Sequence, residues 1–213
     1  MKTVKIALIT FLGVVFLIIT LIGSVILTAT TTSHLLPFYL RQVWHDVSPH
    51  EPDIYQEIKA DVVIEKNVIY PSVYGENTLD IYYAKEHQTK RPTILWIHGG
   101  AFVSGSKNGL KVFGSLLASH GYTVISMNYE LAPERHYPGP LIQVSEVITF
   151  LEKQKLTYPM IDLDRLVIGG DSAGAHIAAN FAVLQTNPML SEKMEIDAVL
   201  TEPHKVDTLL WTL

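Results

Sequence analysis

Three hydrophobic rhythms divide the chain. The first is unbroken: from Ile6 to Ala29, "IALITFLGVVFLIITLIGSVILTA" runs 24 residues without a charge. At about 1.5 Å per helical residue that length crosses a hydrocarbon core of roughly 30 Å. The second rhythm is the short apolar run. "DVVIEKNVIY" and "NTLDIYYA" predict two extended segments around the turn-prone "PSVYGEN", an antiparallel start to a sheet, and "PTILWIHGG", "YTVISMNY" and "RLVIGGDS" predict three further strands. The third is helical. "GLKVFGSLLASHG" sets Leu110, Phe113 and Leu117 on one face and stops at Gly121, and "PLIQVSEVITFLEKQ" spaces Leu141, Val144, Ile148 and Leu151 by threes and fours. "AGAHIAANFAVLQ" is a third helix, and "KVDTLLWTL" starts one more strand.

Strands alternating with helices at this spacing predict a doubly wound, mostly parallel sheet covered on both faces, with right-handed crossovers. Three regions follow: 1–29 as a cytoplasmic tip and transmembrane signal anchor, 30–57 as a stalk or cap segment marked by Pro37, Pro49 and Pro52, and 58–213 as a partial α/β domain. The apolar run exceeds the 7 to 15 residues usual in a cleaved signal peptide, which favours an uncleaved anchor. Lys2 and Lys5 precede it, so the positive-inside tendency puts residues 30–213 on the extracytoplasmic side of a single-pass membrane protein.

Composition narrows the partners. The 213 residues carry a formal net charge of −5 and show no basic block interleaved with aromatics, which argues against nucleic acid. With no cysteine, disulfides and thiolate metal sites are excluded. The nine histidines are scattered without a metal-binding pairing, and no metal site is expected.

The chemistry gathers at predicted strand ends, where ligands bind in open sheets of this kind. In "VIGGDSAGAH" the spacing Gly170-x-Ser172-x-Gly174 matches a nucleophile elbow, a sharp strand-to-helix turn that exposes a serine hydroxyl. The other glycine-bearing motif, "HGGAF" at His98–Phe102, ends a different strand. Glycine-rich backbone there suits amide donors aimed at a tetrahedral oxyanion, and each such donor is worth about 2.7–4 kcal/mol in transition-state stabilisation.

"HGGAF", "NYELAPERHYP" at Asn128–Pro138 and "GDSAG" at Gly170–Gly174 together resemble the signatures of the hormone-sensitive-lipase-like carboxylesterases of the α/β-hydrolase fold. The resemblance covers roughly Asp61–Gln185. It implies a serine-dependent carboxylic ester hydrolase that forms an acyl-enzyme, acts on a small-molecule short-chain ester and needs no cofactor. Ser172 is then the nucleophile, and the amides of Gly100, Ala101 and Ala173 form the oxyanion hole, with Gly99 kept small so the backbone can turn. Asp171 organises the elbow, and His98 either supports the oxyanion loop or is an ordinary loop histidine. The family usually has a third glycine where Ala101 stands and an arginine where Glu130 stands. His176, one turn past Ser172, is expected to be carried beneath the elbow in a structural role.

This fold orders its triad as Ser, then Asp or Glu, then His. After Ser172 come Glu192, Glu195, Asp197, Glu202 and Asp207, with His204 the later histidine, and none follows a further strand end. By comparison with the family, the sheet is expected to be incomplete at its C-terminal end, with the triad acid and histidine missing from these residues. The alternative to an esterase is therefore a non-catalytic truncated remnant or a binding module that keeps the pocket.

Overall fold

The computed structural model describes residues 2–43, 50–86, 89–196 and 207–211. The chain divides into two compact units, Met1–Leu40 and Arg41–Leu213. Helix α1 runs from Lys2 to Val43. Its segment Thr10–Thr28 is long and apolar enough to cross a membrane, and its large side chains from Phe16 to Leu27 are exposed. Length and composition of this kind serve a membrane anchor or a signal sequence. The region expected to be a stalk begins as helix: α1 runs through Pro37 to Val43, because one proline deletes one backbone bond while helix on both sides supplies the rest. Pro49 lies outside the described residues, and Pro52 immediately precedes helix α2, Asp53–Ile58.

The second unit is built on one six-stranded sheet. Its strands are β1 Val62–Ile69, β2 Thr78–Ala84, β3 Arg91–Ile97, β4 Thr123–Met127, β5 Ile161–Asp171 and β6 Asp207–Trp211, in the order β1-β2-β4-β3-β5-β6. β2 pairs antiparallel with both β1 and β4, and the remaining pairs are parallel. The expected antiparallel start and mostly parallel remainder are both present, and the crossovers between β4, β3 and β5 give a doubly wound, mixed sheet.

Alternation along the strands assigns the two faces. On β3, Ile94 and Trp96 join Val62, Tyr82, Val124 and Ala118 in one core. Leu95 and Ile97 join the larger core on the other face with Ile125, Met127 and Ile168. Helix α3, Lys111–Ser119, contributes to the first core, and α4, Gly139–Lys153, and α5, Ala173–Thr186, to the second. The spacing of α4 is realised in full, since Leu141, Val144, Ile148 and Leu151 are all buried. Each contributes about 1.5–3 kcal/mol as an upper estimate.

α3 departs from its expected face. Leu110 is buried, but it belongs to a 3-10 turn, Lys107–Leu110, and Phe113 remains 40% exposed with its ring edge on Trp96. Leu117 packs against the core half-buried as expected, while the fully buried positions are Gly114, Ser115 and Ala118. Small residues win because the helix lies close to the sheet: a Cβ on Gly114 would sit 3.4 Å from the Tyr82 ring. Apolar spacing alone does not reveal that proximity.

Candidate active site

β5 ends and α5 begins within a single residue. Ser172 has φ 48° and ψ −114°, a conformation that L side chains rarely adopt, and it is exposed at the turn. Glycines make the turn possible. A Cβ on Gly170 or Gly174 would run into the carbonyl oxygen of Ile97, so β3 and the elbow approach backbone to backbone. Ala173 opens α5, and the first amides of a helix have no acceptor within it.

The register of the parallel pair joins the two motifs. Ile97 stands opposite Gly170, so His98 and Gly99 leave β3 beside Asp171 and Ser172. A Cβ on Gly99 would strike the Asp171 carboxylate and carbonyl, which explains why that position is small. Beyond it the loop is left-handed for three consecutive residues: Gly100 at φ 117°, Ala101 at 53° and Phe102 at 64°. Gly100 bears this without cost, whereas Ala101 and Phe102 each carry about 1–2 kcal/mol of strain. Its carbonyl accepts from the amides of Val103 and Ser104, at 3.0 and 2.9 Å. Ala101→Gly should therefore raise stability by about 0.5–1 kcal/mol, the relief of strain being partly offset by greater freedom in the unfolded chain. Thermal melting of the variant would show a rise of about 1–4 °C, and an unchanged or lower midpoint would show that the alanine is not strained.

Buried side chains hold this geometry. The His98 ring stacks on Tyr129, with centroids 4.4 Å apart, and its Nδ1 lies 2.7 Å from the Gly99 carbonyl. The Tyr129 hydroxyl donates to the His98 carbonyl at 3.1 Å, and burial pushes its pKa well above the ordinary tyrosine value, so it stays a donor. Asp171 accepts from the Trp96 indole at 3.3 Å. His98 and Asp171 thus both sit in the packing that fixes the elbow and the loop. Tyr129 and Trp96 carried no sequence signal beyond lying inside or beside the motifs.

A cavity of about 380 Å³ opens next to the elbow, lined by Phe102, Tyr137, Leu141, His176 and Ile177 among others. His176 is not tucked beneath the turn. It is exposed, edge-on to Phe102 at 5.7 Å between centroids and within reach of the Asn180 amide. The first turn of α5 rotates it toward the loop because Ala173, Gly174 and Ala175 take the buried positions. Glu130 also lines the cavity, with its carboxylate 3.5 Å from Arg135 and accepting from the Gly75 amide at 3.3 Å. The charge reversal expected there is balanced locally by Arg135.

Arg41, which opens the second unit, grips two loops at once. It donates to the Val103 carbonyl at 2.7 Å, the Ala132 carbonyl at 2.5 Å and both carboxylate oxygens of Glu134. Hydrogen bonding from Arg41 holds the Glu134 carboxyl down at about 2. A depressed carboxyl stabilises the fold above its unfolded value near 4.5 and loses that contribution as pH falls toward 2. Exposure of both partners keeps the effect small. The stability gap between the natural chain and Glu134→Gln should be present at neutral pH and close between about pH 4.5 and 2. Melts across that range would show it, and a constant gap would contradict the assignment.

The acids and the histidine considered as triad partners are dispersed. Glu192 lies on α6, Pro188–Lys193, and Glu195 lines a groove on the outer side of α4. Asp207 is paired with Val167, at the opposite end of β6 from the elbow, where Trp211 pairs with Asp171. Asp197, Glu202 and His204 lie outside the described residues. Among the described residues, no three His, Cys, Asp or Glu side chains converge as a metal site requires.

The chain is similar to known esterases. The model of the BD-FAE family matches residues 79–209, more than half of the chain. The protein named probable carboxylesterase 6 of Arabidopsis thaliana is 32% identical over 151 residues, 68% of this chain and 44% of its own. An acetyl esterase of Salmonella paratyphi B is 29% identical over 120 residues, 56% of this chain and 36% of its own. Among solved structures, esterase B of Lactobacillus rhamnosis inhibited by a tributyrin phosphonate superposes with a TM-score of 0.63 at 28% identity, over 74% of this chain and 52% of its own. The chain therefore spans about a third to a half of the length of these proteins. Through the matched strands and motif loops, the chain belongs to the BD-FAE family of carboxylesterase-like α/β-hydrolases.

Proposed function

We propose that this chain carries the nucleophile-bearing part of a carboxylic ester hydrolase acting by an acyl-enzyme mechanism. One observation carries the reading: Ser172 is exposed in a left-handed conformation at the β5–α5 turn, in register with the strained loop after β3. In this reading the Ser172 hydroxyl attacks the ester carbonyl. The amides of Gly100, Ala101 and Ala173 receive the oxyanion, as preformed donors do in acyl transfer. Collapse of the tetrahedral species expels the alcohol, and water then releases the acid.

The cavity beside Phe102 and Ile177 is the acyl or alcohol pocket, and its volume suits a small ester. Relatives named acetyl esterase, and an esterase trapped with a tributyrin phosphonate, support a short acyl chain. The α1 segment Thr10–Thr28 serves as a membrane anchor, with the hydrolase part on the extracytoplasmic side. The test compares p-nitrophenyl acetate, butyrate and palmitate as substrates, using a form of the protein extended by an esterase-like C-terminal segment. Acetate and butyrate should turn over and palmitate should not, and Ser172→Ala should remove the activity. Equal turnover of all three would contradict the pocket assignment, and activity surviving Ser172→Ala would contradict the nucleophile.

A further inference from the structure

Lys107 and Asp80 form an ion pair whose side chains are only 2% and 1% exposed, a placement the proposed chemistry does not use. The Lys107 ammonium donates to Asp80 Oδ1 at 2.6 Å and to Asn67 Oδ1 at 2.9 Å. The amide of Asn67 donates to the same Asp80 oxygen at 2.8 Å, from a bulge in β1 where Asn67 takes φ 57°. Buried pairs of this kind are poor stabilisers compared with apolar side chains of similar volume, so stability alone does not account for one here.

Its location does. Lys107 is the first residue after the loop 98–106, and its backbone is held as firmly as its side chain. Its amide donates to Asn128 Oδ1 at 2.8 Å, and its carbonyl accepts from the Ser126 hydroxyl at 3.0 Å. Asn128 opens the "NYELAPERHYP" motif and is itself tied to β2 through its amide and the Thr78 carbonyl. The loop therefore leaves β3 under Tyr129 and ends on a four-point anchor reaching β1, β2 and β4. Between those ends lie three successive left-handed residues, a conformation that persists only where the surroundings impose it.

We propose that Lys107, with Asp80, is a positioning residue: it fixes the far end of the loop 98–106 and so sets where the Gly100 and Ala101 amides point. The value of that position for catalysis rests on the ester-hydrolase reading, but the anchoring itself does not. The experiment is amide hydrogen exchange of the 213-residue chain in detergent micelles without substrate, so that absence of ester hydrolysis leaves its outcome interpretable.

The double variant Asp80→Leu/Lys107→Met removes the pair without leaving a buried charge. Exchange at Val103 and Ser104, whose amides bond to Gly100, should quicken by about tenfold or more, while Ile125 and Met127 in the central strand stay within about twofold. Equal quickening at all four sites, or none at Val103 and Ser104, overturns the proposal. Asn67→Gly keeps the bulge conformation and removes one acceptor, so it reads the same anchor in a chain that folds. It should quicken the loop amides by a smaller factor, and no change there overturns the proposal as well. In a catalytically competent form the double variant should lower kcat with KM nearly unchanged.

Discussion

Residues 1–213 produced as they stand should hydrolyse an activated short-chain ester only weakly, and joining a segment with an acid and a histidine in family order should raise the rate by several orders of magnitude. The reason lies in what activates a serine. Loss of the serine or histidine from a Ser-His-Asp enzyme costs about 10⁶ in turnover, whereas binding and the oxyanion hole alone leave roughly 10³–10⁴ over water. Among the described residues, His176 is turned toward Phe102 and Asn180, Glu195 lines the α4 groove, and Asp207 stands at the far end of β6. Neither of these acids is therefore placed to orient a base for Ser172, and His176 is engaged by Phe102 and Asn180. In the extended form Ser172→Ala should abolish the gain, while in residues 1–213 it should change little. Ordinary enzyme rates from residues 1–213, lost on Ser172→Ala, would mean that a base is present, with His176 and His204 the first to substitute.

Lys107→Met should destabilise the second unit strongly. Removing one partner of a buried pair leaves an uncompensated charge on Asp80 and costs about 3–5 kcal/mol. In a domain of this size that lowers the melting midpoint by roughly 6–20 °C. Replacing both partners by apolar side chains should recover most of the loss, because the stranded charge is gone. Thermal melts of the single and double variants decide this. A single variant that melts within a degree or two of the natural chain would show that the site is wetter, and the pair less costly to break, than the burial of Lys107 and Asp80 implies.

Much of this architecture was legible because two codes coincide. α4 buries one stripe and shows the sequence period directly, and the apolar runs of β3, β4 and β5 mark strands enclosed on both faces. The positions of Ser172, Gly99 and Gly100 were legible for a different reason. Glycine spacing reports backbone contact, and here it reports the approach of the elbow to Ile97 and Asp171. Side-chain direction was not legible. Phe113 was expected inside and is partly exposed because small residues let α3 approach the sheet, and His176 was expected beneath the turn and instead faces the cavity. The Lys107–Asp80 pair was invisible for the same reason, since a lysine and an aspartate 27 positions apart carry no local pattern. The continuation of α1 past Pro37 shows that a single proline marks a helix end only weakly.

The most direct test of the central claim is covalent. The extended protein is incubated with a short-chain alkyl p-nitrophenyl phosphonate, digested, and its peptides are weighed by mass spectrometry. One equivalent of phosphonyl adduct on the peptide bearing Ser172, absent from the Ser172→Ala protein, is the predicted result. An adduct on another residue, or labelling that persists in Ser172→Ala, would contradict the assignment of Ser172 as the nucleophile.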